Sequence, residues 1–273
     1  MRQRAIGWIV AVGSSLALVG GACGGDDGGD DATVTPAPTA TAEALATPSS
    51  TAEGLGGPIA SGPSVSAGRT YTADEAQAIV ASAALTPDDL PSVWITSTDN
   101  TTDAATAAAN NPDNAASIER CGQLVSRLAV LSPPEEDLAS RYIGGENVSY
   151  FTNLTVYATD EGAVDCANEA AAEFAANPTA LAEAFGSVFV DPAAVTVTPT
   201  EFPQVGEGSF AANLTGTVQA GGFDVTITIL IVAWRQGNVS AVVGSAASFD
   251  PPRDDLYPLV ELVAERIAAT QAQ

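Results

Sequence analysis

The spacing of apolar and polar positions divides this chain into three stretches. Residues 6–19 are mostly apolar, 24–69 are nearly free of large apolar side chains, and from Tyr71 to about Ala269 apolar positions recur with helix and strand periods. Within that last stretch, Thr72-Ala73-Asp74-Glu75 is a capping-box pattern and predicts a helix through about Ala83. Leu85-Thr86-Pro87-Asp88-Asp89-Leu90-Pro91 reads as a turn with a short helical piece, followed by a strand from Val93 to Ser97. The polar residues 98–112 read as a surface loop. Ile118, Leu124, Val125, Leu128 and Leu131 recur at helical spacing and predict a helix over about 114–131, stopped by Pro133-Pro134. Residues 147–159 mix alternation with aromatic and β-branched side chains and predict a strand. Alanine-rich 161–176 and 178–188 predict helices broken at Asn177-Pro178.

The second half is β-rich. Strands are expected at 194–200 and 209–219, and the strongest strand pattern runs from Phe223 to Trp234. There Phe223, Val225, Ile227, Ile229 and Ile231 share one face, and Leu230, Val232 and Trp234 lie on the other. Apolar residues on both faces predict an interior strand covered on both sides. Arg235-Gln236-Gly237-Asn238 reads as a hairpin turn into a strand over 239–248. Leu256, Leu259, Val260, Val263 and Ile267 mark a C-terminal amphipathic helix. Helices mixed with hairpins predict an α+β fold, an antiparallel sheet with helices packed on it. No internal repeat is evident.

The first stretch gives an address. Arg2 and Arg4 form a short basic region before the apolar run, and small residues close on Cys23. This is the layout of a secretory signal, too short and wrongly flanked for a comfortable transmembrane helix. Gly20-Gly21-Ala22-Cys23 resembles the end of a bacterial lipoprotein signal, although Gly20 stands where that motif usually has a branched apolar residue. The resemblance implies removal of 1–22 and lipidation, palmitate included, of Cys23. An ordinary cleaved signal and an uncleaved anchor are the other readings. Residues 23–69 then form a lipidated low-complexity tether, unable to bury enough surface to order itself. Its 46 residues after Cys23 would span roughly 40 Å as a coil and at most about 140 Å as polyproline. The folded domain is expected over 70–273.

Composition subtracts chemistry. The chain of 273 residues has 9 basic side chains, all arginine, against 33 acids, a formal charge of −24. With no histidine and no lysine, there is no His base, His metal ligand, Schiff-base lysine or P-loop lysine. From residue 70 on, 27 acids face 6 arginines, a net of −21, which repels nucleic acid. No cofactor, metal or catalytic residue is expected, and the chain reads as no enzyme. Asp88-Asp89, Glu135-Glu136-Asp137 and Asp254-Asp255 are the adjacent acids, read as solvated helix-capping residues. Five Asn-x-Ser/Thr sequons, at Asn100, Asn147, Asn153, Asn213 and Asn238, read as a by-product of Thr- and Ser-rich strands. Cys121 and Cys166 remain once Cys23 is assigned to lipid. In an exported protein they predict a disulfide, stapling helix 114–131 to helix 161–176 and closing a loop of about 46 residues.

Leu85-Thr86-Pro87-Asp88-Asp89-Leu90-Pro91 with Trp94, Cys121-Gly122 followed by Cys166, and Trp234-Arg235-Gln236-Gly237-Asn238-Val239 resemble the extracellular sensor domains of mycobacterial receptor kinases of the PknH kind and related lipoproteins. That family generally has a further cysteine pair, absent here. The resemblance implies a cleft over an antiparallel sheet and an extracellular ligand. Trp94, Tyr150 and Trp234 are the candidate pocket residues, with core packing as the other reading. The expected partners are the membrane, through the lipid, and either a small or lipid-like ligand or an envelope protein. The expected location is the extracytoplasmic face of the cell membrane.

Overall fold

The computed structural model of the chain describes residues 69–91, 93–110, 112, 115–134, 148–176, 181, 182, 185, 188–220, 223–248, 251 and 253–272. The expected signal, Cys23 and the tether up to residue 68 lie outside them, as do Glu135-Glu136-Asp137, Asn147 and most of the expected helix 178–188.

Seven strands form one antiparallel sheet: β1 (Ile95–Asp103), β2 (Gln123–Ser132), β3 (Val148–Tyr157), β4 (Thr196–Pro199), β5 (Glu207–Ala220), β6 (Phe223–Gln236) and β7 (Val239–Ala247). Their order is β1-β2-β3-β7-β6-β5-β4, so two meanders meet where β3 pairs with β7. The helices are α1 (Ala73–Ala83), α2 (Ala104–Asn110), α3 (Ala115–Arg120), α4 (Asp160–Ala176) and α5 (Arg253–Gln271). The fold is α+β, as the pattern requires.

Strand alternation sends alternate residues to two cores. Helices α1 and α5 cover the first face, where Ile79, Val80, Leu256, Val260, Val263 and Ile267 pack on Val125, Leu131, Leu154, Leu230, Val232 and Val243. Each such aliphatic side chain contributes about 1.5–3 kcal/mol on leaving water. The α1 start is the anticipated capping box: the Thr72 hydroxyl accepts from the Glu75 backbone, and the Glu75 carboxylate accepts in return. Those bonds, first from the Thr72 backbone and then from Arg69, hold the Glu75 carboxyl down at about 2. On the second face Leu128, Val130, Phe151, Leu214, Ile229 and Ile231 pack under Leu181, Phe185 and Phe189.

Two sequence expectations fail here. Residues 114–131 are not one helix: α3 ends at Arg120, Gly122 adopts φ +63, and residues 123–132 are strand β2. A positive φ ends the helix at low cost only at glycine. An interior strand buried on both faces carries a near-continuous apolar run, in which helical spacing occurs by chance. Residues 98–112 are not a loop either. β1 continues to Asp103 and α2 follows. β1 is exposed along most of its length, so nothing required apolar residues to mark it.

The chain enters and its last helix ends at the same end of the sheet. The Tyr71 backbone donates to the Ala158 carbonyl at 2.9 Å, and Arg69 donates to the Gln271 carbonyl at 3.3 Å. Gln271 in turn donates to the Gln236 carbonyl and to Asn238 Oδ1, closing α5 onto the β6–β7 turn. No helix among the described residues is long and apolar enough to cross a membrane.

Candidate functional site

Trp94 and Tyr150 meet, with ring centroids 5.2 Å apart and planes tilted by 53°. Tyr150 lies near the start of β3, opposite Leu131 and Ser245. The Ala158 carbonyl that receives Tyr71 is eight positions further along, about 27 Å at strand rise. The pair therefore occupies the end of the sheet away from Arg69. Burial, and then the Asp255 carboxylate, push the Tyr150 hydroxyl up to about 12. Phe202, packed against the same core, forms a second tilted pair with Tyr257 at 5.8 Å.

Trp234 does not join them. It shares a register row with Ala241 and Leu154, four residues from Tyr150 along β3, about 13 Å. It is 4 % exposed and belongs to the first core.

On the opposite face Phe185 and Val188 close a recess of about 30 Å³ over Leu128, Val130, Phe151, Ile227, Ile229 and Ala246, all apolar among the described residues. That is about the space of one water molecule. Gly244 shapes its floor. A Cβ there would lie 2.3 Å from Phe151 Cζ and 2.7 Å from the Leu230 carbonyl oxygen.

Among the described residues five arginines, Arg69, Arg120, Arg127, Arg235 and Arg266, clasp carboxylates. Arg266 binds Asp89 through both nitrogens, at 2.9 and 2.5 Å, and donates to the Ala84 carbonyl. Asp89 also accepts from the Thr86 backbone and hydroxyl. Burial alone would raise the Asp89 carboxyl, but the Arg266 and Thr86 bonds outweigh it and hold it below its usual value. The solvated reading is thus corrected for Asp89, whose side chain is 8 % exposed. An aspartate there ties the start of the domain to α5. Asp88 stays exposed, and Asp254 and Asp255 occupy the first turn of α5 as expected. Arg127 chelates Asp99 at 2.9 Å to each oxygen, and Arg235 bridges Asp160 and Glu207.

Cys121 and Cys166 form a disulfide with Cα atoms 5.8 Å apart. It joins the α3–β2 turn, not a long helix, to α4. Glu169 approaches both sulfurs, but sulfurs joined to each other offer no thiolate to a metal. Asn153 and Asn238 are buried, and Asn238 donates to the Tyr157 carbonyl at 2.6 Å. Neither is open to glycosylation in the folded domain.

The recess residues Ile227 and Ile229 were legible from strand alternation; Phe185 and Val188 were not, since nothing in the sequence aims that segment at this face. Val93 and Ile95, exposed beside Trp94, also went unmarked, because apolar residues in a short strand read as core.

No family model matches the chain, and no curated protein matches it. Among solved structures it is similar to the extracellular domain of PknH from Mycobacterium tuberculosis, at 9 % identity and a TM-score of 0.43, covering 74 % of this chain and 98 % of that one.

Proposed function

We propose that the chain is a non-catalytic extracytoplasmic lipoprotein, anchored through Cys23, whose folded domain is a sensor-like module for a small lipid-like ligand. The anchor rests on the residues before Cys23 and the tether composition after it. The non-catalytic reading rests on the absence of histidine and lysine, together with the engagement of Glu75, Asp89, Asp99, Asp160, Glu169 and Glu207 by arginine. At −21 the domain is held off anionic lipid by its own field within a Debye length of about 8 Å. The anchor alone keeps it at the surface.

The observation that carries the ligand reading is the apolar recess beneath Phe185 and Val188. At about 30 Å³ it accepts a chain only where those side chains give way. Native mass spectrometry of the protein extracted from its own envelope tests this. A copurifying apolar molecule, lost when Ile229→Asp places a charge on the recess floor, supports it. A folded protein with an empty spectrum overturns it.

A second reading, an envelope protein as partner, is favoured by a separate observation. Val93 and Ile95 are 72 % and 42 % exposed at the end of the sheet away from Arg69, where a tethered domain meets other proteins.

A further inference from the structure

The two edges of the sheet differ. At one edge β4 is four residues long and ends in Pro199, which has no N–H to offer. Beyond it, the Thr217 carbonyl of β5 accepts from the Val190 backbone at 2.8 Å. That edge is short and guarded. At the other edge β1 runs for nine residues, with a break in register between Thr96 and Thr98, and among the described residues it pairs only with β2. In an antiparallel ladder every second residue of an outer strand turns its N–H and C=O outward. Among the described residues, no backbone hydrogen bond reaches that outer edge. β1 has no proline, and its burial pattern is exposed at seven positions and half-buried at the other two.

A second observation falls at the same place. Among the described residues three large apolar side chains are exposed, and two of them are Val93, just before β1, and Ile95, its first residue. Apolar contact at one end of an open ladder is what strand addition uses: main-chain hydrogen bonds hold the guest, and side chains select it.

We propose that the outer edge of β1 is a docking site for an extended, basic segment of a partner protein, which adds an eighth strand to the sheet. This rests on the partner reading above and names its surface and chemistry. Charge selects the guest. The domain carries −21 with no lysine, and β1 ends in Asp103, so the segment carries arginine or lysine toward that end and apolar residues opposite Val93 and Ile95. A second copy fits poorly. Two-fold antiparallel pairing about Asp99 sets Ile95 opposite Asp103 and brings two domains of −21 together.

The test uses the full lipidated chain in neutral phosphatidylcholine vesicles and a synthetic peptide of matching length with alternating valine and arginine. Amide hydrogen exchange reads the site. The peptide is expected to slow exchange at 95–103. The same peptide N-methylated at alternate backbone nitrogens, which cannot form the ladder, is expected to have no effect, as is a valine–glutamate peptide. Thr96→Lys with Asn100→Lys, both exposed positions, is expected to abolish protection without changing the unfolding midpoint. Protection elsewhere, equal protection by the N-methylated or glutamate peptide, or none at all overturns the proposal. So does concentration-dependent protection of β1 without peptide, which would make the guest a second copy. None of these outcomes depends on whether a lipid-like ligand copurifies.

Discussion

Replacing Asp89 with alanine removes the centre of the clasp between the first turn of the domain and its last helix. The carboxylate accepts four hydrogen bonds: two from Arg266 at 2.5 and 2.9 Å, one from the Thr86 backbone at 2.7 Å and one from its hydroxyl at 3.0 Å. Its side chain is 8 % exposed, while Arg266 is 29 % exposed. Breaking a fully buried pair costs about 3–5 kcal/mol. Water can reach the stranded guanidinium here, so the expected cost is at the lower end, about 3 kcal/mol. For a domain of this size that is a fall of roughly 6–12 °C in Tm. Urea unfolding of Asp89→Ala, beside Asp88→Ala as a neighbour that stays exposed, measures it. Asp88→Ala should stay within about 0.5 kcal/mol of the parent. The pH dependence follows from the same contacts. The unfolded carboxyl titrates near about 3.9 and the folded one lower. The contribution is therefore present above that pH and is lost as pH falls through the folded value. Equal effects of the two substitutions, or a stability difference between parent and Asp89→Ala that does not shrink with acid, would refute the clasp.

Three further outcomes are expected. Replacing both Cys121 and Cys166 with serine should lower stability by about 4 kcal/mol, the entropy of the loop they close, read from the urea midpoint; an unchanged midpoint would contradict it. Gly244→Ala drives a methyl group into Phe151 and should cost about 1–3 kcal/mol as overpacking, whereas a neutral result would mean that the second face is looser than the recess geometry implies. In an alkaline absorbance titration, Tyr150→Phe should remove a phenolate transition at about 12; a loss near the free tyrosine value would place Tyr150 in water.

The elements legible in the sequence were those whose periodicity matched one-sided burial or whose ends carried their own chemistry. The Thr72–Glu75 capping box, the Gly237-Asn238 turn and the stripe from Leu256 to Ile267 fixed α1, the β6–β7 hairpin and α5. β2 and β1 were misread for opposite reasons. The 123–132 run is buried on both faces and loses its period of two, while β1 is exposed on both and never has one. The disulfide pairing was legible from the count of cysteines, but what it staples was not, because that depended on β2. Of the candidate aromatics, Trp94 and Tyr150 converge and Trp234 does not, since spacing along a strand does not say how far apart two rows lie. Ion pairs such as Asp89–Arg266, 177 residues apart, have no local signature at all.

The intact mass of the protein extracted in detergent from its own envelope tests the proposed anchored, extracytoplasmic domain most directly. The expected result is a chain beginning at Cys23 and carrying acyl groups. A chain that retains residues 1–22, or an unacylated mature chain, would contradict it.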